Sequence, residues 1–434
     1  MRIKKYFAVM AAAMVMATSF SGCSEIDLGS KEEKENLSAE ELFDLGNGYY
    51  DDEKYQKAME CYEESLEMEY GEAAYAIGCM YENGEGVNQD YAKAKEYYEI
   101  GMELGSGDAA NNLGYMYDLG NGVEQDYAKA IEYYELGYER ESAAAANNLG
   151  YLYDMGYGVE QDYAKAKEYY TKGMKWGSGT AANNLGYMYD LGNGVEQDYE
   201  QAIYYYEKGV DLEEGVAAYN LGYLYRNGYG VEQDYDTAIE YYEMGIEFGD
   251  GDSANSLGYM YETGEGVRQN YSKAIEYYEE GLELGSGNAA NNLGYLYEYG
   301  CGVEQDFDKA IEYYEMGTEL GNANAATSLG YFYDMGEGVE QDYAKAIEYY
   351  EIGMGLGSGI AAGNLGYFYE NGEGVEQDYA KAIEYYEIGV ELGDGRSADS
   401  LGYLYEKGYG VEANQDKAME YYDIAEALGY YEEY

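Results

Sequence analysis

An all-α fold, a solenoid of antiparallel helix pairs, is predicted by three features of the sequence. The segment LGYMYDLGNGVEQDY at Leu113 to Tyr127 recurs letter for letter at Leu185 to Tyr199, and a looser copy begins at Leu149, so the period is 36 residues. Apolar and small residues inside each copy fall at helical spacing. Glycine-rich and Asp-bearing punctuation recurs between the helical stretches. An uninterrupted repeat of this length marks stacked units that share one elongated core, so the 434 residues read as one array rather than several globules.

Residues 1–22 read as an export signal. Arg2, Lys4 and Lys5 precede an apolar run from Phe7 to Phe20 that is too short to span a bilayer comfortably. Phe20-Ser21-Gly22-Cys23 resembles the bacterial lipobox, with Phe20 where that motif prefers Leu. The resemblance implies that Cys23 is lipid-modified and becomes the mature N-terminus. The protein would then be anchored to a membrane without spanning it, at the cell surface or in the periplasm. The alternative is a plain secretory signal with Cys23 as a bystander. Residues 23–36 are rich in charge and poor in bulky apolar side chains, the composition of an acidic tether.

Within one repeat, Ala110, Leu113, Gly114 and Tyr117 share a face of a first helix, helix A. Glycine inside a helix costs about 1 kcal/mol relative to alanine, so the recurrence of Gly114 predicts a close helix crossing. Gly120-Asn121-Gly122 ends helix A by taking the left-handed conformation. Asp126 then caps helix B, and this position is Asp or Asn in all ten units. Helix B aligns Tyr127, Ala130, Tyr134 and Gly137 on one stripe and places Lys129, Glu132 and Glu135 on the other. Tyr117 and Tyr134 are expected in the core. Two short helices cannot bury their faces alone, whereas stacked neighbours can.

Leu113 has in-register counterparts at Ile77, Leu149, Leu185, Leu221, Leu257, Leu293, Leu329, Leu365 and Leu401. The pattern Ala110…Leu113-Gly114-x-x-Tyr117-x-x-Gly120-x-Gly122-Val123-x-x-Asp126-x-x-Lys129-Ala130-x-x-Tyr133-Tyr134 resembles the Sel-like repeat, a relative of the tetratricopeptide repeat, over residues 68–426. The first unit departs from it: Lys57 follows Leu45 after 12 residues, against 16 from Leu113 to Lys129. Residues 37–67 therefore resemble an ordinary tetratricopeptide repeat serving as the N-terminal cap. Residues 427–434 form an acidic, Tyr-rich tail.

The resemblance implies a right-handed superhelix whose A helices line a concave ligand groove. On this sequence the groove column holds Tyr115, Tyr151, Tyr187, Tyr223, Tyr259, Tyr295, Tyr331, Tyr367 and Tyr403. One helical turn earlier stand Asn111, Asn147, Asn183, Asn255 and Asn291; an acidic rail includes Asp118, Asp154 and Asp190. Tyr offers a rigid face with a polar tip and Asn offers adaptable hydrogen bonding, which suits recognition of a protein or peptide ligand, basic in character, or of a glycan. Alternatively, the rings pack side by side between repeats and the acids are a solvated face. A third reading is an inert acidic spacer.

Composition narrows the choice. A net charge of −62, with 87 acidic against 25 basic residues, excludes nucleic acid as a partner. The absence of His removes the usual general base and the commonest metal ligand. The loop acids lack the order of a calcium-binding EF-hand, so no metal or other cofactor is expected. Cys61, Cys79 and Cys301 do not suggest a disulfide framework. A cysteine-rich branch of the resembled family, linked to β-lactam binding or hydrolysis, carries paired cysteines in each repeat, and this chain lacks them. With no nucleophile beside a base, the reading is non-enzymatic.

Overall fold

The computed structural model describes residues 37–430, so the signal segment, Cys23, the tether and residues 431–434 lie outside the described residues. Among the described residues there are twenty-two α-helices and no strand. They fall into two compact units, one ending at Tyr241 and the other starting at Tyr242. Within each unit the helices pair, and successive pairs stack as an α-solenoid.

One repeat shows how the sequence dictates its helices. Helix A runs Gly107–Leu119, capped by the Ser106 side chain, which accepts from the backbone N–H of Ala109. Gly120 ends it at φ 75°, a left-handed conformation open to glycine at little cost. Helix B, Tyr127–Glu139, starts from Asp126, whose carboxylate accepts from the Lys129 N–H at 3.2 Å. Gln125 closes the loop between them, donating to the Asp118 carbonyl at 2.6 Å. In the first unit the cap differs as its spacing implies: helices Ala39–Asp51 and Tyr55–Glu67 are joined by residues 52–54 alone. The Ser38–Glu41 capping box opens that pair.

The core lies between repeats. Ala166 and Tyr170 of one helix B are buried with Ala181, Leu185 and Met188 of the next helix A. The second unit repeats this with Ala346 and Tyr350 against Ala361, Leu365 and Phe368. Consecutive A helices also touch directly within each unit. The close crossing expected at Gly114 is made by an aromatic ring: an added methyl would meet Tyr134 Cδ1 at 2.6 Å.

Tyr134 is fully buried, as its stripe predicts, but Tyr117 is only half-buried. Helix A is covered by helices on two sides, its own helix B and that of the preceding repeat, which widens its buried face. Ala109, Ala110, Leu113, Gly114 and Met116 fill that face, and Met116 takes the place expected for Tyr117. The Tyr117 ring sits at the rim and stacks on Tyr133, with centroids 5.6 Å apart. Lys129 lies over the Tyr117 ring at 4.9 Å, a cation–π contact. Among the described residues there are ten such stacked pairs, and in eight of them the Lys of the same repeat covers the ring at 4.5–4.9 Å.

Candidate functional site: the face of the A helices

Side chains at equivalent positions of touching A helices become neighbours, so three columns predicted from the sequence meet on one face of each unit. Their chemistry separates them.

The Tyr column keeps its rings in solvent. Tyr151, Tyr187 and Tyr223 in the first unit, and Tyr259, Tyr295, Tyr331, Tyr367 and Tyr403 in the second, are 41–49% exposed. Tyr115, the first of the column, is half-buried, and burial, with Glu82 and Asp118 nearby, pushes its phenol up to about 12. The ring contacts found among the described residues pair Tyr151 with Tyr157, Tyr223 with Tyr229, Tyr295 with Tyr299 and Tyr403 with Tyr409. These four column members therefore lean on loop and helix-end rings.

The Asn column is engaged in a ladder between repeats. Asn111 Oδ1 accepts from Asn148 at 2.9 Å, Asn147 from Asn184 at 3.0 Å, and Asn183 from Asn220 at 2.8 Å. In the second unit Asn255 accepts from Asn292 at 2.8 Å, and Asn291 donates to the same Asn292 at 3.5 Å. Asn111 and Asn183 are buried. These amides hold repeat to repeat, which leaves them less to offer a ligand than the exposed rings beside them.

The acidic rail has an equally definite duty. Asp118 accepts the hydroxyl of buried Tyr134 at 3.1 Å, Asp154 that of Tyr170 at 3.2 Å, and Asp190 that of Tyr206 at 3.2 Å. Glu262, Glu298, Glu370 and Glu406 do the same for Tyr278, Tyr314, Tyr386 and Tyr422. A buried phenol needs such a partner. Burial raises the carboxyls of Asp118, Asp154 and Asp190 above their ordinary value, and the tyrosine hydroxyl opposes the rise.

A fourth column went unread in the sequence. At the last position of helix A, Leu119, Met155 and Leu191 in the first unit and Tyr299 and Met335 in the second are 44–59% exposed. The signal was available: other repeats place Asn227, Thr263 and Asn371 there. Cys79 is buried and accepts hydrogen bonds from Tyr98 and Asn112, and no disulfide joins the three described cysteines.

The Sel1 repeat matches ten segments of the chain: residues 71–106, 107–142, 143–173, 179–213, 215–250, 251–286, 287–322, 323–353, 359–394 and 396–430. A tetratricopeptide repeat matches residues 39–72. Among solved structures, c5321, a protective antigen present in uropathogenic Escherichia coli strains and displaying an SLR fold, is 32% identical. That match covers 91% of this chain and 85% of the antigen, with a TM-score of 0.49. A Sel1 repeat protein from Oxalobacter formigenes is 29% identical over 57% of this chain and 99% of its own, with a TM-score of 0.51. No curated protein matches. Ten in-register matches laid along the stacked helix pairs show that this chain belongs to the Sel1 repeat family.

Proposed function

We propose that the protein is a non-enzymatic interaction scaffold that holds a protein or peptide partner against the exposed tyrosines of its A helices. Sel1 repeat proteins are generally protein–protein interaction scaffolds and typically non-enzymatic. The observation that carries the reading is a contrast within each repeat. Tyr134, Tyr170, Tyr206 and Tyr314 are buried and bonded to carboxylates and Tyr117 and its equivalents are stacked, while the column from Tyr151 onward stays in solvent at nearly constant exposure. Rigid rings held on helices suit recognition because little side-chain freedom is lost on binding. The net charge of −62 favours a basic partner.

The lipobox-like Phe20-Ser21-Gly22-Cys23 supports export and attachment to a membrane through Cys23, with the scaffold held outside the cytoplasm. Replacing Tyr151, Tyr187 and Tyr223 together by Ala tests the scaffold reading in an affinity capture from cell-surface extract. The expected result is loss of the captured partner with the circular dichroism spectrum intact. Capture unchanged by the triple replacement would overturn the reading, and binding insensitive to salt would point to a glycan instead.

A further inference from the structure

Rows of apolar side chains interrupt an otherwise polar position, and the fold gives no reason for them. In three repeats the last residue of helix A is polar and serves its own helix. Asn227 donates to the Tyr223 carbonyl at 2.8 Å, Asn371 to the Tyr367 carbonyl at 3.0 Å, and Thr263 to the Tyr259 carbonyl at 2.9 Å. In three consecutive repeats of the first unit the residue is Leu119, Met155 or Leu191, and these are 45%, 44% and 52% exposed. The backbone is the same in both cases, a helix end followed by a left-handed glycine. An apolar side chain there forgoes a hydrogen bond and stays about half exposed, and its recurrence in consecutive repeats makes a row rather than a scattered single residue.

We infer that Leu119, Met155 and Leu191, one helical turn beyond Tyr115, Tyr151 and Tyr187, form the anchoring row for an extended polypeptide in which every third side chain is apolar and those between are basic. This rests on the scaffold reading above and specifies its partner. Charge complementarity sets the basic component. Each anchor precedes a loop carrying an exposed acid, Glu124, Glu160 or Glu196, and each loop is tied back to the end of its helix A by Gln125, Gln161 or Gln197. Geometry sets the spacing. Packed helices lie about 8–10 Å apart, and a chain in the polyproline II conformation advances about 3.1 Å per residue with three residues per turn, so every third side chain returns to the same side. An apolar residue at every third position therefore meets successive A helices, and the residues between reach the acids.

The test uses the full chain and two fluorescent peptides of equal charge, one a repeated Lys-Lys-Leu and the other a repeated Lys-Lys-Ser, at physiological salt. The leucine peptide is expected to bind roughly tenfold or more tightly than the serine peptide. The L119N/M155N/L191N variant, built from a residue the position already holds at Asn227 and Asn371, should erase that difference while keeping wild-type helicity and melting. Equal affinity of the two peptides for the wild-type protein would overturn the inference, as would an undiminished preference in the asparagine variant. Capture of zwitterionic lipid vesicles by the wild-type protein, lost in that variant, would also overturn it, in favour of a lipid surface. If a Tyr151, Tyr187 and Tyr223 replacement weakens peptide binding and the asparagine variant does not, only the anchoring row fails. If neither affects it, the scaffold reading fails too.

Discussion

A methyl group added at Gly186 would lie 2.5 Å from both Cδ1 and Cε1 of the fully buried Tyr206 ring. The ring is packed against Ala217, Leu221 and Leu224 of the next repeat, so Gly186→Ala sets two effects against each other. Helix propensity gains about 1 kcal/mol, while overpacking a close-packed site costs about 1–3 kcal/mol. The expected outcome is a net loss, seen as a lower urea midpoint by circular dichroism. Because long repeat arrays depart from two-state unfolding, the midpoint shift is the quantity to compare. A raised midpoint would show that the ring can move aside.

Tyr170 and Asp154 provide a second test. Both are buried, and the phenol donates to the carboxylate at 3.2 Å. Tyr170→Phe removes the donor and leaves the carboxylate short of a partner, at a cost of about 1–3 kcal/mol. Asp154→Asn keeps an acceptor oxygen and removes one negative charge from a strongly acidic chain, so its cost should stay below about 1 kcal/mol. Thermal melts of the two variants should therefore fall in that order. Equal melting of Tyr170→Phe and wild type would mean that the pair adds nothing to stability.

What the sequence could and could not disclose follows from where each signal resides. Gly114, Gly120 and Asp126 are readable because they answer to the local backbone, as a close approach, a left-handed residue and a cap. Tyr134 is readable because helix B shows the core a single stripe. Tyr117 was misplaced because helix A is covered on two sides, a fact of tertiary stacking that shifts burial onto Met116. The partnership of Asp118 with Tyr134 crosses 16 residues, and no periodicity within one helix reveals it. A buried tyrosine recurring at one position nonetheless calls for a recurring acceptor, and the acidic column, interrupted only at Arg226, recurs with the same period. The Leu119 row was missed for the opposite reason, since only its variation between repeats marks it.

Lys167 offers a compensation experiment. In most repeats the lysine over the stacked tyrosine comes from the same repeat, as Lys129 does for Tyr117. The repeat of Tyr189 has Gln201 at that position, and Lys167 of the preceding helix B instead lies 4.9 Å from the ring centre, donating to its hydroxyl at 2.6 Å. Lys167→Ala should cost about 0.5–1 kcal/mol, the range for an exposed cation–π contact. Adding Gln201→Lys should restore most of the loss by returning the usual arrangement. Failure of the second change to raise the melting temperature of the first would separate Lys167 from the ring.

Acidification should stabilise this protein before it harms it. Burial is the largest influence on the carboxyls of Glu72, Glu82, Asp118, Asp154, Asp190, Asp250 and Asp334, and it raises all of them. A carboxyl with a raised value in the folded state binds its proton more tightly there than in the unfolded chain. The stability this supplies is fully present below the ordinary carboxylate value near 4 and is lost as pH rises through the raised value. Self-repulsion from a net charge of −62 acts in the same direction, since each proton bound relieves it. Glu41, Asp234 and Glu406, which lie at the surface, are lowered by hydrogen bonds, so their contribution fades only at more acidic pH. The melting temperature should therefore climb as pH falls from about 7 toward about 5 at fixed ionic strength. An Asp118→Asn/Asp154→Asn/Asp190→Asn variant should show a shallower climb, because three of the titrating groups are gone. A melting temperature that drops steadily over the same range would mean that the tyrosine hydroxyls favour the charged carboxylates more than burial opposes them.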